Sequence, residues 1–170
     1  MVDEVTVRRA QRGDAASLEA VLRDLAPYLG RICGAIALDA GDDALQEAMV
    51  AIARNLGSLR EPAALRGWAR RIAVREAVRA GRDGRAIPVD PATLDPLGLD
   101  PRTVVPDGAT AVEVRAVLAA LQPEQRAVLV LRHLDGLDET EMAEVLGVAR
   151  GTVKSRLHRA RAAFRERWTA

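Results

Sequence analysis

The segment Glu139–Arg161 (ETEMAEVLGVARGTVKSRLHRAR) holds the side chains best suited to nucleic-acid chemistry. Ala143 is small enough for two helices to cross closely. Gly147 stands where a tight turn between them needs a positive φ, which glycine adopts at least cost. Val148, Val153 and Leu157 recur at helical spacing and can pack the second helix onto the first. That leaves Lys154, Ser155, His158 and Arg159 pointing outward, with Arg150, Thr152, Arg156 and Arg161 beside them. A helix entering the major groove needs donors for base edges and cations for phosphates, and these side chains supply both. An amphipathic helix with a solvated basic face fits the same spacing. That reading has weight because every basic residue except Lys154 is arginine, so an arginine cluster partly reflects composition.

A second basic stripe, Arg71, Arg75, Arg79 and Arg82, has helical spacing and suits a phosphate backbone. Trp68, just ahead of it, fits a core position better than a base-stacking one. Upstream, Asp42, Asp43, Gln46 and Glu47 share a helical segment with Leu45 and Met49. This segment could meet a basic protein partner through an apolar edge with acidic flanks, or it is simply a solvated acidic face. The net charge of +1 hides this segregation: residues 150–167 carry seven Arg/Lys against one acid, and residues 60–85 carry eight Arg against three. Two separated basic fields imply polyanion contact at two places. Catalysis is not expected. Cys33 has no evident partner, His133 and His158 fall within helical segments, and there is no metal-ligand cluster, phosphate loop or cofactor motif.

The elements that must hold these residues are helices. The chain of 170 residues is 49% hydrophobic but only 2% aromatic, so its cores are built from Leu, Val, Ile and Ala, as in packed helices. Residues 4–82 read as helical, with breaks at Gly13-Asp14, where Asp14 is a natural N-cap, at Gly41-Asp42-Asp43, at Gly57-Ser58 and at Glu61-Pro62. From Gly81 the texture changes. Pro88, Pro91, Pro96, Pro101 and Pro106, interspersed with Asp90, Asp95, Asp100 and Asp107, exclude a regular helix and read as an extended acidic linker. Beyond it, helices are expected over Val112–Leu121, from Pro123 to Leu134, from a capping-box start at Asp138/Glu141 to Leu146, and over Arg150–Trp168. Val128–Leu131, the one strand-like run, reads better as buried helix. The expected fold class is therefore all-α, with two small helical domains (1–84 and 109–170) and a linker at 85–108. A single cysteine suits a reducing compartment. With no signal-peptide pattern and no apolar run of membrane-spanning length, a soluble cytoplasmic protein without membrane insertion is expected.

Gly151–Arg161 (GTVKSRLHRAR) strongly resembles the region 4 helix-turn-helix of the bacterial sigma-70 family, and so does Leu121–Gly136 (LQPEQRAVLVLRHLDG) before it. Asp42–Met49 (DDALQEAM) resembles the region 2 helix that docks on RNA polymerase. Leu65–Ala73 (LRGWARRIA) resembles the helix following the minus-ten recognition loop. The two-domain order is similar to that of the extracytoplasmic-function (ECF) type. The resemblance implies a promoter-specificity subunit whose partners are core RNA polymerase (clamp helices and flap), promoter DNA and, as in many members, an anti-sigma factor. It places Lys154, Ser155, His158 and Arg159 as base readers of the minus-thirty-five element, with Arg150, Thr152, Arg156 and Arg161 in supporting or phosphate roles. It assigns Asn55, Arg60, Trp68, Arg71, Arg75 and Arg79 to the minus-ten element. Asp42, Asp43, Leu45, Gln46, Glu47 and Met49 fall to the polymerase.

Three departures from the family stand out. Ala149 occupies a position where relatives usually carry a serine N-cap, a loss of about 1 kcal/mol. The aromatics usual in region 2 are replaced by Met49, Ala51 and Leu65. Arg75 stands where an asparagine is frequent. In relatives the linker threads toward the active-site and RNA-exit channel; a plain spacer accounts for the acidic stretch here equally simply. Two other functions were weighed. A stand-alone helix-turn-helix regulator leaves residues 42–82 unexplained. A sigma mimic that sequesters an anti-sigma factor usually carries a receiver domain, for which 170 residues leave no room.

Overall fold

A computed structural model describes residues 2–83 and 108–169, with the side chains of residues 108–110 excepted. All but the last residue of the expected linker lies outside the described residues. Eight α-helices follow in order: α1 (Glu4–Gln11), α2 (Ala15–Ala37), α3 (Gly41–Asn55), α4 (Leu65–Asp83), α5 (Gly108–Ala119), α6 (Pro123–His133), α7 (Glu139–Leu146) and α8 (Arg150–Trp168). There is no strand among the described residues.

The expected helix boundaries have visible local causes. The Asp14 carboxylate accepts from the Ser17 N–H at 2.7 Å and starts α2, and Asp3 does the same for Thr6 at 2.8 Å. Val21, Leu25, Leu29, Ile32 and Ile36 recur every three or four residues on α2, and all are buried. Each such side chain stabilises the fold by about 1.5–3 kcal/mol. This face makes α2 the hub on which α1, α3 and α4 pack. One feature of that packing was not apparent from the sequence. A Cβ on Gly41 would lie 2.7 Å from the Gly34 Cα, so α2 and α3 approach backbone to backbone there. The link between these helices contains Leu38 at φ 58°, ψ −116°, a strained conformation for a residue with a Cβ.

In the second half, Pro123 occupies the first turn of α6, where its missing N–H costs nothing. Ala127, Val128 and Leu131 are fully buried, which makes Val128–Leu131 a buried helical segment, as read from the sequence. The two halves, expected as separate domains on a linker, pack directly against each other, with α2 and α4 meeting α6 and α4 meeting α7. Arg126, only 2% exposed, reaches across to the Ile36 carbonyl at 2.5 Å and also donates to Leu121 O at 2.9 Å. The guanidinium tolerates burial because these carbonyls accept its N–H groups, and sequence patterning records its polarity but not the carbonyls that receive it.

Candidate nucleic-acid interface

The helix-turn-helix is shaped at three helix ends, two of them capped. Asp138 accepts from the N–H groups of Thr140 (2.7 Å) and Glu141 (2.9 Å), while the Glu141 carboxylate accepts from the Asp138 N–H at 2.8 Å. This closes the expected capping box. Those backbone donors hold the Asp138 carboxyl below its usual range, the Glu141 N–H contributing most. Gly147 ends α7 at φ 63°, ψ 34°, the left-handed conformation that the sequence required of it. At the third point, Ala149 takes the extended backbone of an N-cap, φ −63° and ψ 145°, but has no side chain to accept a bond.

Val153, Leu157 and Ala160 turn the inner side of α8 into the core. The outer side gathers Gly151, Lys154, Ser155, His158 and Arg159 around one shallow depression, all of them exposed. These are the four expected base readers and the glycine that leaves room above them. Two of these side chains bond back to the helix backbone. Ser155 Oγ donates to Thr152 O at 3.0 Å, and Arg159 Nε to Ser155 O at 3.3 Å. Arg150 is exposed and pairs with Glu139 at 3.4 Å, which links α8 to α7. Thr152 and Arg156 are half-buried. Arg161 is exposed on the same helical stripe as Lys154 and His158, and all three line a groove with Phe164 and Arg165.

The minus-ten candidates are more dispersed. Asn55 is exposed at the end of α3, its amide donating to Ala51 O at 2.7 Å. Arg60 is exposed in the following loop, and Trp68 is half-buried against the core, its expected core position. Arg71, Arg75 and Arg79 line α4 as an exposed stripe, but the stripe is partly neutralised. Arg75 pairs with Glu76 at 3.2 Å, and Arg79 pairs with Glu76 at 2.8 Å and Glu47 at 3.9 Å. Arg82 turns away to Glu124 at 2.6 Å. Glu76 lies three residues before Arg79, so helical geometry made that pair legible in principle, whereas the adjacent Arg75 is not a neighbour that helical spacing predicts.

On α3, Asp42, Asp43, Gln46 and Glu47 are exposed together. Leu45 and Met49, expected to offer an apolar contact, also serve the fold. Both are half-buried and pack against the core, Leu45 lying against Gly30. The exposed apolar side chain beside the acids is Val50, 44% accessible. It was missed because its i+4 relation to Gln46 and i+8 relation to Asp42 places it on the polar side, where a valine reads as incidental.

Three further facts of surface chemistry bear on partners. A groove of about 1220 Å³ between the halves is lined by Val114, Leu118, Leu129, Leu134 and Phe164 together with cationic Arg31, Arg115, Lys154, Arg161 and Arg165. Among the described residues no group of His, Cys, Asp and Glu is arranged to hold a metal ion. Nor is any described helix long and apolar enough to cross a membrane.

Comparison with known proteins agrees with this layout. Residues 18–87 match the family described as Sigma-70 region 2, and residues 111–164 match Sigma-70, region 4. The ECF RNA polymerase sigma factor SigM of Mycobacterium tuberculosis is 40% identical over 134 residues, covering 79% of this chain and 66% of that protein. The ECF RNA polymerase sigma factor SigE of Mycolicibacterium smegmatis is 33% identical over 132 residues, 74% of this chain and 50% of that protein. The chain thus spans two thirds or less of the length of these two relatives. The ECF RNA polymerase sigma-E factor of Escherichia coli is 28% identical over 180 residues, with 96% of this chain and 93% of that protein covered. Among solved structures, CnrH in complex with the cytosolic domain of CnrY has a TM-score of 0.65 at 21% identity, covering 96% of this chain and 95% of that one. RpoE in complex with the anti-sigma factor NepR from Bartonella quintana has a TM-score of 0.61 at 21% identity, covering 91% and 96%. At that identity the two structures share the fold.

Proposed function

We propose that this chain, which belongs to the sigma-70 family in its ECF form, binds core RNA polymerase and directs initiation at promoters with a minus-thirty-five and a minus-ten element. The observation that carries the reading is the convergence of Lys154, Ser155, His158 and Arg159 on one exposed face of α8, within a chain that also has the region 2 half. Donors on that face suit base edges in a major groove. The first turn of α8 has N–H groups without a side-chain cap, a setting that suits a backbone phosphate. Asp42, Asp43, Gln46 and Glu47 around Val50 suit a basic partner surface with a small apolar contact, the role assigned here to the polymerase clamp. The Arg71–Arg79 stripe and the Asn55–Arg60 loop are assigned to the minus-ten region. The domain division at 1–84 and 109–170 follows the same assignment.

Run-off transcription with purified core enzyme on genomic fragments tests the proposal. Discrete transcripts that require both the chain and the core are expected. Tight binding to DNA alone, with no association with core, would instead establish a stand-alone regulator. Base reading has its own test. His158→Ala and Arg159→Ala should cost about 1–3 kcal/mol at the preferred sequence and relax specificity there, whereas Arg161→Ala should weaken all sequences alike and lower the salt slope by about 1. Equal losses for all three at every sequence would mean that α8 does not read bases as assigned.

A regulatory partner is supported by a separate observation. Two solved neighbours are complexes with the cytosolic domain of CnrY and with the anti-sigma factor NepR. The groove between the halves combines apolar and arginine side chains in its lining, a chemistry suited to an acidic amphipathic helix. An anti-sigma factor is therefore assigned as the partner of this groove, and Leu118→Asp with Leu134→Asp should abolish its capture in a pull-down.

A further inference from the structure

Gln11, the last residue of α1, is a polar side chain on that helix's inner stripe. It shares a face with the buried Val7 and Ala10, which precede it at helical spacing. A carboxamide in such a place needs partners, and it finds them 45 and 48 residues along the chain. Its Nε2 donates to Leu56 O at 3.1 Å and to Leu59 O at 2.6 Å. α1 itself packs against the turns at Leu56–Ser58 and Pro62–Ala64 as well as on α2.

The stretch that Gln11 grips joins α3 to α4 and has two sides. Leu56, Leu59 and Pro62 are buried beneath it, whereas Asn55, Gly57, Ser58 and Arg60 are exposed. Bonds within the stretch shape its turn: Leu59 N donates to Leu56 O at 3.1 Å, and Ser58 Oγ to Asn55 O at 2.7 Å. Gly57 has open space where a Cβ would stand, so the outer surface is unobstructed. Among the described residues, the two bonds from Gln11 are those that tie the backbone of this loop to another element.

We propose that Gln11 is a positioning residue for minus-ten recognition, holding the Asn55–Arg60 loop in the shape that meets the promoter. The inference rests on the assignment of that loop made above. It adds α1, which lies ahead of the residues 18–87 that match region 2. The physical reason is pre-organisation: a loop ordered before contact does not lose affinity to its own ordering. The carbonyls of Leu56 and Leu59 bracket Gly57-Ser58, so fixing both fixes the backbone between the exposed Asn55 and Arg60. Without the Gln11 donor, two partly buried acceptors lose a partner and local opening of the loop becomes easier. Gln11 acts through Leu56 and Leu59 and need not touch DNA.

Two experiments on the full chain test this role. The first is hydrogen–deuterium exchange read at the amides of residues 57–61. Gln11→Glu is nearly isosteric, but its carboxylate cannot donate. It should speed exchange there by about tenfold, the scale of losing two neutral hydrogen bonds, while α2 and α4 keep their protection. Gln11→Lys retains N–H donors and should restore most of the loop's protection. Asp3→Ala is the control, since it removes the N-cap of α1, 2.8 Å from the Thr6 N–H, and leaves the loop contacts in place. Unchanged loop exchange in Gln11→Glu, or an equal rise in Asp3→Ala, would overturn the proposal.

The second experiment uses a genomic fragment that the wild type transcribes with core, and single-base variants of its minus-ten element. Gln11→Glu should lose about tenfold of the preference among these variants, again the scale of two hydrogen bonds, with preference at the minus-thirty-five element unchanged. Gln11→Lys should regain most of it, and Asp3→Ala should keep it. Wild-type base preference in Gln11→Glu would overturn the positioning role. If the wild type gives no transcript with core, the promoter reading fails, and the exchange result still decides whether Gln11 holds the loop.

Discussion

Replacing Ala149 by serine should stabilise the protein, because the recognition helix begins without the side-chain cap that its neighbour has. Ala149 already has the extended backbone of an N-cap, at φ −63° and ψ 145°, and its carbonyl accepts from Thr152 N at 2.9 Å and Val153 N at 3.1 Å. A serine Oγ at this position can accept from the N–H of Gly151 or Thr152, as the Asp138 carboxylate does for Thr140 and Glu141. Ala149 is exposed, so the hydroxyl brings no burial penalty. The gain is about 1 kcal/mol, which for a chain of this size is a rise in Tm of about 2–4 °C. Thermal unfolding followed at 222 nm, with urea titration to check that the m-value is unchanged, measures it. Ala149→Val is the control and should give no gain, since it adds bulk without an acceptor. An unchanged or lowered Tm for Ala149→Ser would refute the reasoning, because it would mean that the first turn of α8 is already satisfied. The gain in DNA affinity should be smaller than the gain in stability, since hydroxyl and phosphate would draw on the same N–H groups.

Gly41→Ala should destabilise the first half by about 1–3 kcal/mol, because its Cβ would press on the Gly34 backbone at 2.7 Å; equilibrium denaturation with an unchanged Tm would contradict this. Gly147→Ala has open space around it and pays only for its left-handed backbone, about 1–2 kcal/mol, with DNA binding lost only in proportion to stability. Acid titration has a definite sign at Asp138. Its folded pKa is lowered by the Glu141 and Thr140 N–H groups, so the stability it contributes is present above the unfolded value of 3.8 and is lost as pH falls through the folded one. Asp138→Asn should accordingly flatten the stability profile below pH ~4. His133 acts at higher pH. Partial burial, then the Arg161 and Arg132 charges, lower its pKa from 6.5, so the folded state resists protonation and stability falls as pH drops below 6.5. His133→Gln should remove that slope, read from urea midpoints between pH 7 and pH 5, and a slope that survives the substitution would exclude His133 as its source.

The sequence by itself determined the local structure and the recognition helix. Asp14, the Asp138/Glu141 pair, Pro123 and Gly147 act through their own backbone neighbours, so their consequences are confined to a few residues and are legible from spacing alone. The same holds for α8, where Val153, Leu157 and Ala160 turn inward and leave Lys154, Ser155, His158 and Arg159 outward by helical geometry. Tertiary structure alone decided the rest. Leu45 and Met49 face the core and Val50 faces solvent, because the docking of α3 on α2 is set by the backbone contact of Gly34 with Gly41. The Arg71–Arg82 stripe lost part of its free charge to Glu76, Glu47 and Glu124. Asp135, Tyr28, Arg70 and Arg126 were unremarkable in the sequence, since their partners lie 65 to 107 residues away. A polar residue's role depends on which distant acceptor the fold brings within 3 Å, and periodicity, which records only burial, contains no term for that.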